Sequence, residues 1–271
     1  TCMGYGCNAV GVTGCRIIDS PRERIIAIVT NSLTPCNGRF PLLIVMISMF
    51  FCDNMLAGAG IMLLFVLLSL GMTLLSSKVL SSTVLRGERS AFVLELPPYR
   101  RPQFFKVIGE TLREKVVFVL GRAIVVAAPA GFIIWCLANI HVGEVSLLVR
   151  LADFLNPMGQ FIGLDGVMLL AFILGFPANE IVIPIALMTY LASGNLGDYS
   201  SVQSLKTILV DNGWTFTTAL CTCVFSMFHF PCSTTLLTIW KETKSVKWTA
   251  LSVAVPLLCG IVLCAVLHFI F

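Results

Sequence analysis

Charge is scarce in this chain. Only 12% of its 271 residues are Asp, Glu, Lys or Arg, against about 25% in an average soluble domain. That shortage excludes an ordinary water-soluble domain. The net charge is only +4, and the basic residues sit in a few loops, so no nucleic-acid partner is expected. Eleven cysteines are present, yet none form a C-x-x-C pair, which argues against a zinc ribbon or a thioredoxin-like site. No G-x-x-x-x-G-K-[ST] run occurs, so no P-loop binds a nucleotide here. The chain opens at Thr1 without a signal-peptide pattern and almost inside its first motif. The expectation is a segment whose N-terminal part lies elsewhere.

What is present is apolar. Hydrophobic residues make up 57% of the chain, and its mean hydropathy is +0.94. This is the composition of an all-α, polytopic membrane protein. Cys52, Cys136, Cys221, Cys223, Cys259 and Cys264 lie inside apolar runs, where a thiol is usually a small buried hydrophobe.

Five stretches are apolar enough to insert: Phe40 to Ser77 (interrupted at Asp53-Asn54), Val116 to Ile140, Leu164 to Ala192, Trp214 to Trp240 and Trp248 to Phe271. Phe40 to Cys52 covers only about 20 Å as a helix, against about 30 Å of hydrocarbon. It must borrow length back through Pro35-Cys36. Arg16, Arg22, Arg24 and Arg39 precede this pair of spans, and Lys78, Arg86, Arg89, Arg100, Arg101, Lys106, Arg113 and Lys115 follow it. Both groups belong inside the cell. The loops His141 to Gly163 and Ser193 to Gly213 carry few cations and should be external. Lys241, Lys244 and Lys247 should be internal. Leu164 to Ala192 then starts and ends outside, so it enters the membrane and turns back.

The turn falls on Gly175-Phe176-Pro177-Ala178-Asn179-Glu180, and Pro231-Cys232 follows later. The first part of the chain carries Gly4-Tyr5-Gly6-Cys7-Asn8 and then Pro35-Cys36. Two helix-breaking segments in matching places, on chains running in opposite senses, predict inverted repeats with a substrate site between them. Ser20-Pro21-Arg22-Glu23 reads as a helix start with a capping box. Ser200 to Gln203 reads as the start of a short external helix. Gln103 to Lys115 spaces Phe104, Val107, Ile108 and Leu112 on one face, as a surface helix would.

Six residues at these breaks suit a cation. Cys7 and Asn8 offer sulfur and an amide oxygen, which fit Fe²⁺ or Zn²⁺ better than Ca²⁺ or Mg²⁺; simple helix packing is the alternative. Cys36 and Cys232 each follow a proline, which leaves the carbonyls of Asn31 and Met227 without helical partners. A freed carbonyl beside a thiol is a transient cation site, or else a plain kink. Asn179 and Glu180 occupy the second break, and a carboxylate at that depth must be paired, hydrated or metal-bound. Arg39 and Arg122 are its possible ion partners. His229, three residues before Cys232, is a hydrogen-bonded core histidine or a ligand. Cys221 and Cys223 point to different helix faces and read as packing.

The ordered set resembles the ferrous iron transporter B family. It comprises Gly4-Tyr5-Gly6-Cys7-Asn8, Asp19-Ser20-Pro21-Arg22-Glu23-Arg24, Pro35-Cys36-x-x-Arg39, Glu95-Leu96-Pro97-Pro98-Tyr99-Arg100-Arg101-Pro102, Gly175 to Glu180 and Pro231-Cys232. The resemblance implies two gate modules: residues 1–77, and residues 163–271 with the C-terminal span. Between them it implies a cytoplasmic loop with an amphipathic helix (78–117) and a central membrane segment (118–162). It further implies Fe²⁺ as transported substrate, a multi-pass protein of a bacterial or archaeal inner membrane, and no enzyme activity in this chain. GTP and Mg²⁺ would belong to an N-terminal GTP-binding domain outside the chain. A small cytosolic regulator and a second copy are further implied partners, beside the lipid bilayer. Two departures stand out. Val10 replaces a proline common in the family, and Asn179 replaces a lysine found in many members.

Three rivals remain. Nucleoside transporters share gate-like modules, and transport of Mn²⁺ or Zn²⁺ would use similar ligands. Spore-maturation-like membrane proteins also share the gates, without transport. An intramembrane cysteine enzyme lacks an evident His–Cys pair with an orienting acid.

Overall fold

Two long helices each bury only one narrow stripe, Phe65, Ser69, Thr73, Ser76 and Leu80 on the first and Ser252, Pro256, Gly260 and Cys264 on the second. They are Met55–Thr83 and Val246–Ile270, and by length and composition each can cross a membrane. Only 11% and 22% of their apolar windows are buried against the rest of the protein, so their outer faces are the lipid-facing ones. A third span, Phe216–Thr243, is 67% buried and broken in its middle. The broken span is therefore central and the unbroken ones peripheral.

The computed structural model describes residues 2–51, 54–83, 103–110, 112, 118–142, 145–191 and 202–270. In chain order the helices are α1 (Cys2–Gly6), α2 (Asn8–Gly14), α3 (Pro21–Asn31), α4 (Phe40–Phe50), α5 (Met55–Thr83), α6 (Phe104–Glu110) and α7 (Phe118–Asn139). A two-residue antiparallel ladder follows, β1 (His141–Val142) with β2 (Val145–Ser146). Then come α8 (Leu147–Phe161), α9 (Gly166–Leu174), α10 (Val182–Tyr190), α11 (Val202–Asp211), α12 (Phe216–Phe228), α13 (Ser233–Thr243) and α14 (Val246–Ile270). Short 3₁₀ turns occupy Cys15–Ile17, Asn37–Arg39 and Asn179–Ile181. The Glu95 to Pro102 motif, Asp53, Arg86, Arg89, Arg113, Lys115 and Ser200 lie outside the described residues.

Local chemistry sets several boundaries. Ser20 caps α3 by accepting from the Glu23 N–H at 3.4 Å, with Pro21 in the first turn. Asp165 caps α9 through the Met168 N–H at 2.8 Å. Thr215 caps α12 through the Thr218 N–H at 3.3 Å. Each cap satisfies a helix-end donor that lipid would leave stranded. Leu43, Met46, Phe172, Ile185, Phe225 and Phe228 sit in one core shared by α4, α9, α10 and α12. Inside a bilayer such packing is held by van der Waals contact rather than by exclusion of water. At the opposite edge Arg16 pairs with Glu242 at 2.5 Å, joining the turn after α2 to the end of α13.

One expectation fails here. The stretch from His141 to Gly163 is not a loop: α8 fills most of it and meets α9 at a 107° bend. Leu148 and Ala152 are buried on one face, while Phe154, Met158 and Phe161 stand exposed on the other. The apolar residues recur at helical spacing on both faces, and Asn156, Pro157 and Gln160 interrupt the run enough to disguise it. Helix α5 also runs on to Thr83, past the proposed edge of the first module.

Candidate functional site

Both sequence breaks are real interruptions, and they use the same backbone. Cys7, between α1 and α2, is extended with φ −151° and ψ 125°. Ala178, between α9 and the turn before α10, has φ −152° and ψ 120°. In each case one extended residue precedes a buried asparagine, Asn8 or Asn179. The bend between α9 and α10 is tight because residue 175 has no side chain. A methyl there would come within 2.6 Å of Val182 Cγ2 and 2.9 Å of the Ala171 carbonyl oxygen.

The later Pro–Cys segments also interrupt helices. Pro35-Cys36 lies between α3 and α4, and Pro231-Cys232 between α12 and α13. The prolines deprive the Asn31 and Met227 carbonyls of helical partners, and each takes up another donor. Asn31 receives the Thr34 N–H at 3.1 Å. Met227 receives Arg39 Nη1 at 2.6 Å. Arg39 Nη2 reaches the carbonyls of His229 at 3.0 Å and Phe230 at 3.2 Å. The freed carbonyls expected as cation ligands thus each already hold one donor, in the second unit a guanidinium from the first. Arg39 is 1% exposed and lies within electrostatic range of both Cys36 and Cys232.

Four of the six expected site residues are drawn toward this junction. Asn179 Nδ2 sits 3.8 Å from Cys36 Sγ. Glu180 lies beside Gly38, where a methyl would stand 3.3 Å from its Oε1. Cys232 is followed by Ser233, whose N–H donates to the Phe176 carbonyl at 3.0 Å. The second break therefore touches both Pro–Cys turns. Among the described residues Glu180 forms no ion pair with Arg39, whose hydrogen bonds go to carbonyls; the Arg122 side chain lies outside the described residues.

Cys7 and Asn8 stand at the start of α2, which packs against α13, the helix that follows Cys232. Cys7 is exposed, and Asn8 packs on Asn31 of α3, whose Nδ2 donates to the Asn8 carbonyl at 3.0 Å. Among the described residues, no three Cys, His, Asp or Glu side chains converge as a ligand set.

His229 is a core histidine. It is 1% exposed, and its ring packs near Phe172, Phe225 and Phe230. Its expected helical relation to Cys232 does not exist, because α12 ends at Phe228 and His229 is extended. Nδ1 faces the Ser226 carbonyl at 2.8 Å, and Nε2 faces Asn179 Oδ1 at 3.3 Å. Two acceptors facing both ring nitrogens would demand a charged imidazolium beside buried Arg39. A neutral ring keeps its proton on Nδ1 and needs a donor at Nε2. Turning the Asn179 amide over supplies that donor and presents its oxygen to the Cys36 thiol. Cys221 and Cys223 are fully buried, as packing residues should be.

Sequence reasoning missed a polar cavity of about 940 Å³ bounded by α8, α9, α10 and α12. Asp153, Asn156, Asp165, Tyr190, Trp214 and His268 are among its walls. Asp165 accepts from the Tyr190 hydroxyl and from Trp214 Nε1. The only advance signal was Asp165 standing directly ahead of an apolar run.

These features define an all-α, multi-pass membrane protein with two broken-helix units joined at their Pro–Cys turns. Residues 62–113 match the family described as ferrous iron transport protein B C terminus, and residues 120–246 match the one described as nucleoside recognition, a gate module. The chain is 30% identical to the Fe(2+) transporter FeoB of Staphylococcus aureus, over 96% of this chain and 38% of that protein. It is also 30% identical to the Fe(2+) transporter FeoB of a Synechocystis species, over 94% and 40%. A Porphyromonas gingivalis Fe(2+) transport protein A/Fe(2+) transporter FeoB fusion protein is 26% identical over 93% and 35%. No solved structure matches. The chain belongs to the ferrous iron transporter B family, and it spans about two fifths of the length of the curated relatives it matches.

Proposed function

We propose that this chain is the membrane part of a ferrous iron importer of a bacterial or archaeal inner membrane. The observation that carries this reading is the contact of Asn179 with Cys36, with Glu180 seated beside Gly38. It puts one thiol, one amide and one carboxylate at the meeting of two helix breaks. Sulfur with oxygen donors suits Fe²⁺ better than a hard cation such as Ca²⁺.

In this reading the two units lie inverted in the bilayer, and their breaks provide alternate access. The cavity walled by Asp153 and Asp165 opens on the side that the loop charges place outside. Two carboxylates there raise the local concentration of a divalent ion. The ion then exchanges water for Glu180, the Asn179 oxygen and Cys36, with Cys232 on the far side of Arg39. Binding of the metal releases the Cys36 proton to water. Cys7 and Asn8 serve a separate stage of the path, at the first break. Ligands spread in this way bind weakly enough to release. Nucleotide control and any small regulatory partner belong to the part of the protein outside this chain.

Uptake of radiolabelled iron into cells carrying the full-length protein tests the proposal. Cys36→Ser, Cys232→Ser and Glu180→Gln should each lower uptake at equal expression, and Cys7→Ser should lower it as well. Unchanged iron uptake in the first three would end the assignment. Uptake of Mn²⁺ or Zn²⁺ in preference to Fe²⁺ would replace the substrate but keep the site.

A further inference from the structure

The first helix break contains buried oxygens that bond to nothing. Asn8 Oδ1, Asn31 Oδ1, Ser32 Oγ and Thr34 Oγ1 all lack a hydrogen-bond partner. Their residues are no more than 3% exposed. Each such orphan is costly to bury, so a group of them calls for a water or an ion.

Three of these residues surround one point. A methyl on Gly4 would lie 2.6 Å from Asn31 Oδ1, 3.4 Å from Asn8 Oδ1 and 3.3 Å from Thr34 Cγ2. The two amide oxygens border one notch against Gly4, and any larger residue there would drive into Asn31 Oδ1. The direction of the Asn31 amide is fixed, since its Nδ2 already donates to the Asn8 carbonyl at 3.0 Å. The second unit has no equivalent notch, because Asn179 is engaged by His229 and Cys36.

The donors are two amide oxygens and a hydroxyl, all neutral and hard. Such oxygens prefer hard cations. The cost of desolvating an ion rises with the square of its charge, and no carboxylate among these donors offsets it for a divalent ion. We propose that the notch binds a dehydrated monovalent cation, Na⁺ or K⁺, through Asn8 Oδ1 and Asn31 Oδ1, with Thr34 turning about Cα–Cβ so that its unpaired Oγ1 replaces the Cγ2 methyl that faces Gly4. The bound ion ties the first break to α3 and to the turn after it. It sets the stiffness of the first unit and is filled without iron.

The test uses the purified chain in detergent, with no iron added. The unfolding midpoint should rise in NaCl or KCl relative to choline chloride at equal ionic strength, as ligand binding to the native state requires. Radiolabelled Na⁺ should bind saturably, and competition by K⁺ decides between the two ions. Thr34→Val should weaken binding about tenfold, a loss of about 1.4 kcal/mol. In choline the same variant should unfold at or above the wild-type midpoint, because it removes an unpaired hydroxyl. Gly4→Ala fills the notch and should abolish binding, while Cys36→Ser should leave it intact. Coincident midpoints in all three salts would mean water alone and would overturn the proposal. Full Na⁺ affinity in Thr34→Val and Gly4→Ala would overturn it too. Either failure leaves the iron path standing, because iron takes no part in the measurement.

Discussion

Arg39 Nη1 donates to the Met227 carbonyl at 2.6 Å across 188 residues of sequence. The acceptor is the one that Pro231 strips from α12, so a residue of the first unit repairs the break in the second. With the bonds to His229 and Phe230, one guanidinium closes three backbone acceptors. Arg39→Met leaves these carbonyls unsatisfied and should cost at least about 3 kcal/mol. Arg39→Lys should recover only part of this, because an ammonium lacks the planar fork. Thermal unfolding in detergent reads both. A wild-type midpoint in Arg39→Met would show that the interlock carries no weight.

The contact between Asn179 and Cys36 makes their effects interdependent. Cys36→Ser and Asn179→Ala should each reduce iron uptake, and the double variant should fall short of the product of the two losses. Residues in contact couple by about 0.5–3 kcal/mol, and distant ones add. Strict multiplication of the two defects would place them on separate steps.

Gly175→Ala should strain the second break. Its methyl would meet Val182 Cγ2 at 2.6 Å and the Ala171 carbonyl at 2.9 Å, an overpacking worth about 1–3 kcal/mol. Adding Val182→Ala removes one of the two clashes. The pair should therefore be less destabilised than the sum of the single variants. Additive losses would mean the bend does not depend on that approach.

Orientation is open to labelling. Asn212 and Lys247 are both exposed and lie before and after the broken span. In a background lacking other reactive thiols, Asn212→Cys should react with an impermeant maleimide on whole cells. Lys247→Cys should react only after permeabilisation. The reverse pattern would invert the path from entry to exit.

The parts of this arrangement readable in advance were those with local causes. Ser20, Pro21 and Glu23 announce α3 because a cap acts over one turn. Gly175 and Pro177 announce the second break because they forbid a continuous helix. Arg39 was visible as a cation, but its destination was not, since nothing in the local spacing reports a partner 188 residues away. Helix α8 was hidden by Asn156 and Gln160, which interrupt its apolar run, and by Pro157, which a helix tolerates where its lost bond can be made up. That Cys7 is exposed while Asn179 of the matching break lies buried against Cys36 was equally invisible, because a repeat predicts matching positions and not matching surroundings.

Cys7 and Ala178 hold the same extended geometry, one with a thiol and the other with a methyl. The bend therefore owes nothing to the atom beyond Cβ. A duplicated unit of this kind can change its reactive group at one copy while the other goes on shaping the chain. Sulfur at residue 7 is free to be exchanged for selectivity without rebuilding the scaffold that presents it.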